Sequence, residues 1–156
     1  MNGWQLVSIN QADLEPILAI EQNSFQRPWD CLSFEFALGC PSARNYAVKS
    51  TAGEICGPFI AYAILRMVGD EVHLQKVAVT PAWRGQGVAS WLLQRCFTLS
   101  VEQGAKSAYL EVRPSNIPAV ELYQKLGFEL IGKRPKYYPD SKEDALLMIK
   151  TLKEDL

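Results

Sequence analysis

Histidine is almost missing from this chain: 156 residues contain one, His73. The four cysteines, Cys31, Cys40, Cys56 and Cys96, are scattered, and no two stand at the spacing of a metal-binding pair. Zinc ligation needs clustered thiolate and imidazole donors, so no metal site is expected. No apolar run reaches the ~18 residues that a membrane-spanning helix needs, so no membrane partner is expected. The opening segment, Met1 to Asn10, has no basic stretch followed by an apolar one, and a secretory leader is not expected. Charge of one sign is not in excess: 16 basic residues face 17 acidic ones, for a net charge of −1. A dedicated nucleic-acid binder carries a basic surplus, so direct nucleic-acid binding is not expected. Unclustered thiols in a chain without a leader read as reduced core cysteines of a cytoplasmic protein. Repeats, low-complexity stretches and Pro/Gly/Ser-rich linkers are also lacking. One domain over 1–156 is expected, large enough to bury a core without a disulfide or metal staple.

What is present is a steady alternation of strand and helix patterns. Trp4 to Ile9 reads as a strand, and Asn10 as the cap of a helix carrying Leu14, Ile17, Leu18 and Glu21 at helical spacing. Arg27-Pro28-Trp29-Asp30 interrupts the chain, and Asp30 caps a second short helix ending near Gly39-Cys40-Pro41. A strand begins at Tyr46. Phe59 to Met67 and Val72 to Val79 are apolar runs joined by a turn at Gly69-Asp70. After Gly87, the residues Val88, Trp91, Leu92, Cys96 and Leu99 make one apolar helical face. Tyr109 to Val112 reads as a strand and Asn116 to Leu126 as a helix, with Ser115 or Asn116 as its cap and Pro118 in its first turn. Gly127 to Gly132 and Ala145 to Leu152 close the chain as strands. The order β-α-α-β-β-β-α-β-α-β-β describes an α/β (α+β) protein with helices covering a mixed sheet. A doubly wound parallel sheet is excluded, because the central strands have no crossover helices.

The segment with chemical content runs from Val77 to Ala89: Val-Ala-Val-Thr-Pro-Ala-Trp-Arg-Gly-Gln-Gly-Val-Ala. A strand enters a basic, glycine-bearing loop, and the loop opens an amphipathic helix. The first amides of a helix have no internal partner and carry the positive end of its dipole. Gly85 and Gly87 let a ligand approach the backbone. Such a loop suits a phosphate or pyrophosphate. It is not a P-loop, since no Gly-Lys-Ser/Thr follows, and the three-glycine dinucleotide spacing is absent.

This segment resembles the acetyl-CoA-binding motif of the GNAT N-acetyltransferase superfamily. Phe25-Gln26-Arg27-Pro28-Trp29 resembles the substrate-side loop of the ribosomal-protein-alanine N-acetyltransferases. So do Leu110-Glu111-Val112-Arg113-Pro114-Ser115-Asn116, followed by Ala119, Leu122-Tyr123 and Leu126-Gly127-Phe128, and the end, Tyr137-Tyr138-Pro139 with Glu143-Asp144-Ala145 and Met148. The matches run through nearly the whole chain in order. The resemblance implies a mostly antiparallel central sheet flanked by helices. It implies that Val77, Ala78 and Val79 lend backbone groups to the pantetheine arm of acetyl-CoA. Arg84, Gly85, Gln86, Gly87, Val88 and Ala89, with Ser90, would cradle the pyrophosphate, and Asn116 would contact the pantetheine side. Glu111 matches the general base and Tyr123 the general acid. Phe25, Trp29, Tyr137 and Tyr138 fall where the family holds its peptide. The implied acceptor is a protein N-terminus, most simply the alanine of ribosomal protein S18, with a small-molecule amine or a protein lysine as alternatives. The implied assembly is a monomer or weak homodimer.

The chemistry asks for these residue types. Only a neutral amine attacks a thioester; at pH 7 roughly a tenth of α-amines are neutral, against about 0.04% of lysines. A carboxylate such as Glu111 is an adequate base for the former and a poorer one for the latter. A backbone N–H near Val79 would take the oxyanion. A phenol such as Tyr123 sits about 1.5 pKa units above a thiol, which favours a hydrogen bond to the departing sulfur over full proton transfer. Two positions depart from the family pattern. Ala89 replaces the commoner last glycine. Lys76 stands where a small polar residue is more usual, and facing the peptide groove it would alter the charge preference for substrate. His73, alternating with Val72 and Leu74, reads as structural or surface.

Overall fold

Asn10 and Asp13 fix the start of the first helix. Asn10 Oδ1 accepts the Ala12 N–H at 2.9 Å, and Asp13 Oδ2 accepts the Asn10 N–H at 3.0 Å. This reciprocal box caps a short 3-10 turn, Gln11–Asp13, which feeds the α-helix instead of being its first turn. Asp30 is the expected cap: its Oδ1 accepts from Ser33 N at 2.8 Å. The computed structural model describes residues 3–51 and 57–154. In chain order it contains β1 (Trp4–Ser8), α1 (Leu14–Ser24), α2 (Cys31–Gly39), β2 (Ala43–Ser50), β3 (Phe59–Val68), β4 (Glu71–Val79), α3 (Val88–Glu102), β5 (Ser107–Val112), α4 (Ile117–Lys125), β6 (Glu129–Arg134) and β7 (Ala145–Thr151). This is the order expected from the sequence. Boundaries moved where long-range pairing decides them: β2 starts at Ala43 because Ala43 pairs with Arg66 of β3.

The strands form one sheet in the order β1-β2-β3-β4-β5-β7-β6. Every pairing is antiparallel except β4 with β5. On one face, α3 and α4 pack Leu92, Leu93, Cys96, Phe97 and Tyr123 over Val72, Leu74, Leu110 and Met148. On the other, Ile17 and Ile20 of α1 and Phe34 of α2 pack over Ala47, Tyr62, Ile64 and Ala78. The apolar face of α3 is turned from the one expected: Leu93, Phe97 and Ser100 are buried, while Trp91 and Leu99 are half-buried. Trp91 instead meets Trp4 edge-on at 5.8 Å.

Two irregularities of β4 shape the site. Ile64 of β3 pairs with Lys76, but Leu65 pairs with Leu74, so Gln75 is an extra residue in a β-bulge. The bulge reverses the strand's alternation: His73 and Lys76 share a face, and Val77 turns with Val72 and Leu74 to the other. The parallel pairing with β5 stops at Leu74–Leu110, although β4 continues to Val79 and β5 to Val112. Beyond that point the two strands part.

The cysteines are not uniformly core residues. Cys96 is buried, and burial pushes its thiol up to about 12. Cys40 is half-buried and Cys31 is exposed, because it is the first residue of α2 and turns outward. Cys56 lies outside the described residues. Among the described residues no helix is long and apolar enough to cross a membrane. Leu92 is fully buried in the α3 layer. Leu92→Ala is expected to cost about 2–5 kcal/mol, read from urea unfolding midpoints.

Candidate active site

The gap between β4 and β5 opens into a cleft of about 660 Å³. Its walls bring together Phe25 and Trp29 from the α1–α2 connection, Val77 from β4, Glu111 from β5, Asn116 and Tyr123 from α4, and Tyr137 and Tyr138 from the β6–β7 connection. These residues come from five separate segments. Eight of the residues singled out in the sequence therefore share one cleft. Ala78, Val79 and the loop from Arg84 to Ser90 are not part of its wall.

Glu111 and Tyr123 reach the cleft from opposite sides of the sheet. Glu111 shares its face of β5 with Tyr109, away from the buried Leu110 and Val112. Its Oε1 accepts the Tyr109 hydroxyl at 3.1 Å and meets Arg134 Nε at 3.2 Å. A hydrogen bond to Glu111 also pushes the Tyr137 phenol above its ordinary value. Glu111 is thus oriented by two phenols and a guanidinium, none of which the sequence pattern marked except Tyr137. Tyr123 is 6% exposed and meets Phe128 edge-on at 5.8 Å. Burial, with the nearby Tyr138, pushes its phenol up to about 12. It is at once a core aromatic and a cleft-lining hydroxyl. Asn116 caps α4, its Oδ1 accepting from Ala119 N at 3.3 Å, and still lines the cleft. His73 bonds Glu71 Oε2 at 2.8 Å and lies 4.9 Å from the Tyr109 ring.

The floor beneath Phe25 and Trp29 is ionic. Glu21 is fully buried on the core stripe of α1. Its carboxylate accepts from the Trp29 N–H at 2.9 Å, from the Tyr62 hydroxyl and from Lys76 Nζ. Burial and the Glu21 bond raise the Tyr62 phenol. Burial pulls the Lys76 ammonium below its ordinary value, against the opposing pull of Glu21. Lys76 Nζ stands 3.9 Å from the Phe25 ring centroid and 4.9 Å from that of Trp29. Its charge is therefore matched by Glu21 and stacked on two rings, not free in the groove. The signal for Glu21 was in the sequence: a carboxylate at a position of the apolar helical stripe requires a buried partner. Nothing local pointed to which partner.

Between Val79 and α3 the chain makes a 3-10 turn, Pro81–Trp83, and then two left-handed residues, Gly85 at φ 75° and Gly87 at φ 85°. Gly87 is the N-cap of α3, and no side chain caps this helix end. Val88 is buried, so only its backbone N–H can serve a ligand. The Arg84 guanidinium is engaged within the protein, donating to Val79 O at 2.9 Å and Ser24 Oγ at 3.2 Å. It ties the loop to the ends of β4 and α1. The Thr80 hydroxyl, at the junction, is buried and has no partner. Uncapped amides, glycines at positive φ and an orphaned hydroxyl fit a phosphate-bearing ligand. Among the described residues no group of His, Cys, Asp and Glu side chains is placed to hold a metal.

The wall bearing Tyr137 and Tyr138 is pinned by Arg113. Its Nη1 donates to Asp140 Oδ1 at 2.8 Å and Ser141 Oγ at 2.9 Å, and its guanidinium lies 4.0 Å from the Tyr138 ring centroid. Glu143 accepts from Ser115 N at 3.2 Å and Ser115 Oγ at 2.9 Å. These contacts hold the Asp140 carboxyl (chiefly through Arg113) and the Glu143 carboxyl (chiefly through Ser115) below their ordinary values. A depressed folded-state pKa stabilises the loop above the unfolded pKa, and that stability is lost as pH falls through the folded value. Amide exchange over residues 137–144 should thus be slow at pH 7 and accelerate, relative to the sheet, below about pH 4. Arg113→Met should produce the same acceleration at pH 7.

Residues 14–128 match the family model described as the acetyltransferase (GNAT) family. Over 143 residues the chain is 34% identical to the ribosomal protein bS18-alanine N-acetyltransferase of Escherichia coli, covering 90% of this chain and 93% of that protein. Identity to the protein of the same name from Haemophilus ducreyi is 34% over 144 residues, covering 90% and 95%. The crystal structure of the ribosomal-protein-S18-alanine N-acetyltransferase from Escherichia coli superposes with a TM-score of 0.87 at 30% identity, covering 98% of this chain and 96% of that one. The mixed, mostly antiparallel sheet flanked by four helices is the fold of these enzymes. The chain belongs to the acetyltransferase (GNAT) family and is an N-acetyltransferase.

Proposed function

We propose that this enzyme transfers acetyl from acetyl-CoA to the N-terminal α-amine of a protein, with the N-terminal alanine of ribosomal protein S18 as the leading acceptor. The observation that carries this reading is the convergence of Glu111 and Tyr123 on one open cleft walled by Phe25, Trp29, Tyr137 and Tyr138. A cleft open at the surface and lined by aromatic side chains suits an extended chain end. The relatives described above carry the same activity in their names.

Acetyl-CoA supplies the activated acetyl thioester. The uncapped amides from Gly87 to Ser90 suit its pyrophosphate, with the glycines at 85 and 87 giving the backbone room. The backbone of Val77, Ala78 and Val79, freed from β5, and the Asn116 amide suit the pantetheine arm. Arg84 serves by fixing the loop to Val79 and Ser24.

Glu111 holds the acceptor ammonium and takes its proton, directly or through one water. Its bonds to Tyr109 and Arg134 fix the carboxylate without enclosing it, since its side chain keeps 20% exposure. Tyr123 acts on the departing sulfur. With its phenol at about 12, full proton transfer to a thiolate of pKa about 8.5 is uphill by about 5 kcal/mol. A buried hydroxyl of this kind serves as a hydrogen-bond donor. The thiolate takes its proton from solvent.

The test is thiol release from acetyl-CoA with hexapeptides beginning Ala, Ser or Met, and with an N-terminally blocked peptide carrying a lysine. Preferred turnover of the alanine peptide is expected. Glu111→Gln should lower kcat by about 10²–10⁴-fold. Tyr123→Phe should slow turnover by a smaller factor and leave it measurable. Equal turnover of the blocked lysine peptide would overturn the α-amine reading.

A further inference from the structure

The Glu21–Lys76 pair is the part of the cleft that the proposed chemistry does not use. Lys76 lines the cleft, while Glu21 lies wholly beneath it. The ammonium is held from below by the Glu21 carboxylate and sits against two ring faces, Phe25 at 3.9 Å and Trp29 at 4.9 Å. The side chain keeps 12% exposure. The contact works in both directions, since a cation fixed by a buried anion also fixes the rings it faces. Phe25 and Trp29 belong to the connection between α1 and α2, which has no regular structure. Both rings also pack at the margin of the core formed by α1, α2 and the sheet, and Trp29 is held besides by its N–H to Glu21 and an edge contact with Phe34 at 5.4 Å. Lys76 reaches this face only because Gln75 is bulged out of β4.

Resting on the N-terminal α-amine reading, we propose that Lys76 is a positioning residue that holds Phe25 and Trp29 as a rigid wall. Through that wall it sets the enzyme's selectivity for the first side chain of the acceptor. A fixed wall discriminates by shape, because a larger side chain cannot displace it. A wall that repacks accepts both sizes.

Lys76→Gln keeps a donor for Glu21 but removes the cation, and Lys76→Arg restores a cation. The comparison is the ratio of kcat/KM for hexapeptides beginning Ala and Met. In Lys76→Gln the ratio should fall at least fivefold, through a lowered KM for the methionine peptide, with the KM for acetyl-CoA within twofold of wild type. Lys76→Arg should recover at least half of the lost ratio. The Trp29 indole N–H resonance, identified by its loss in Trp29→Phe, should shift and broaden in Lys76→Gln and not in Lys76→Arg. An unchanged ratio, or an equal fall in kcat for every peptide, overturns the selectivity role. An unchanged indole signal overturns the wall. Wild-type enzyme that acetylates no peptide sinks the α-amine reading and the selectivity role with it, while the indole signal still decides whether Lys76 holds the rings. Should Lys76→Gln fail to fold, Glu21→Gln combined with Lys76→Met, which removes both charges together, is read in the same way.

Discussion

A buried carboxylate joins the segments on which the cleft depends. Glu21 gathers donors from the α1–α2 connection, from β3 and from β4: the Trp29 N–H, the Tyr62 hydroxyl and the Lys76 ammonium. Taking a carboxylate and an ammonium out of water costs several kcal/mol per ion, recovered only when the remaining hydrogen-bonding capacity is satisfied. Here both oxygens are used. The penalty for breaking the arrangement falls on four segments together, so the end of α1, the aromatic connection and the two central strands hold one geometry. That geometry is the wall of the cleft that carries Phe25, Trp29 and Lys76.

The parting of β4 from β5 is the second constraint. In a continuous sheet, Glu111 and Tyr123 would lie on opposite sides of a hydrogen-bonded layer. Tyr123 comes from the α3–α4 layer, and Glu111 projects from the other face of β5. They line one cleft because the pairing stops at Leu74–Leu110. The bulge at Gln75 stands next to this point and strengthens the local twist. It also turns Lys76 toward Glu21. One extra residue in one strand thus lies beside the opening of the site and supplies the cation in its wall.

Much of the site was legible because its residues sit in local patterns. The strand–loop–helix from Val77 to Ala89 was readable from two glycines between two apolar periodicities, and both glycines adopt positive φ. Asp30 and Asn116 cap the helices assigned to them. Tyr109 and Arg134, which orient Glu111, carried no such signal, and Arg113, which pins the loop bearing Tyr137 and Tyr138, stood in the Leu110–Asn116 match with no role assigned to it. Tyr109 bonds Glu111 two residues along β5, and Arg113 and Arg134 owe their roles to partners on another strand or loop. The engagement of Arg84 with Val79 and Ser24 was hidden for the same reason.

The sequence by itself determined the order of elements, the capped helix starts and the glycine loop, because each is set by interactions within a few residues. Tertiary structure decided the register of β4 against β3, the turn of α3 that buries Leu93 and Phe97, and the exposure of Cys31. It also decided what Lys76 does. From the sequence, Lys76 reads only as a strand charge that would alter substrate preference if it faced the peptide groove. Its actual partner, Glu21, is 55 positions away. Only the closing of the sheet over α1 brings them together, since a buried carboxylate takes whichever cation the packing places within its reach.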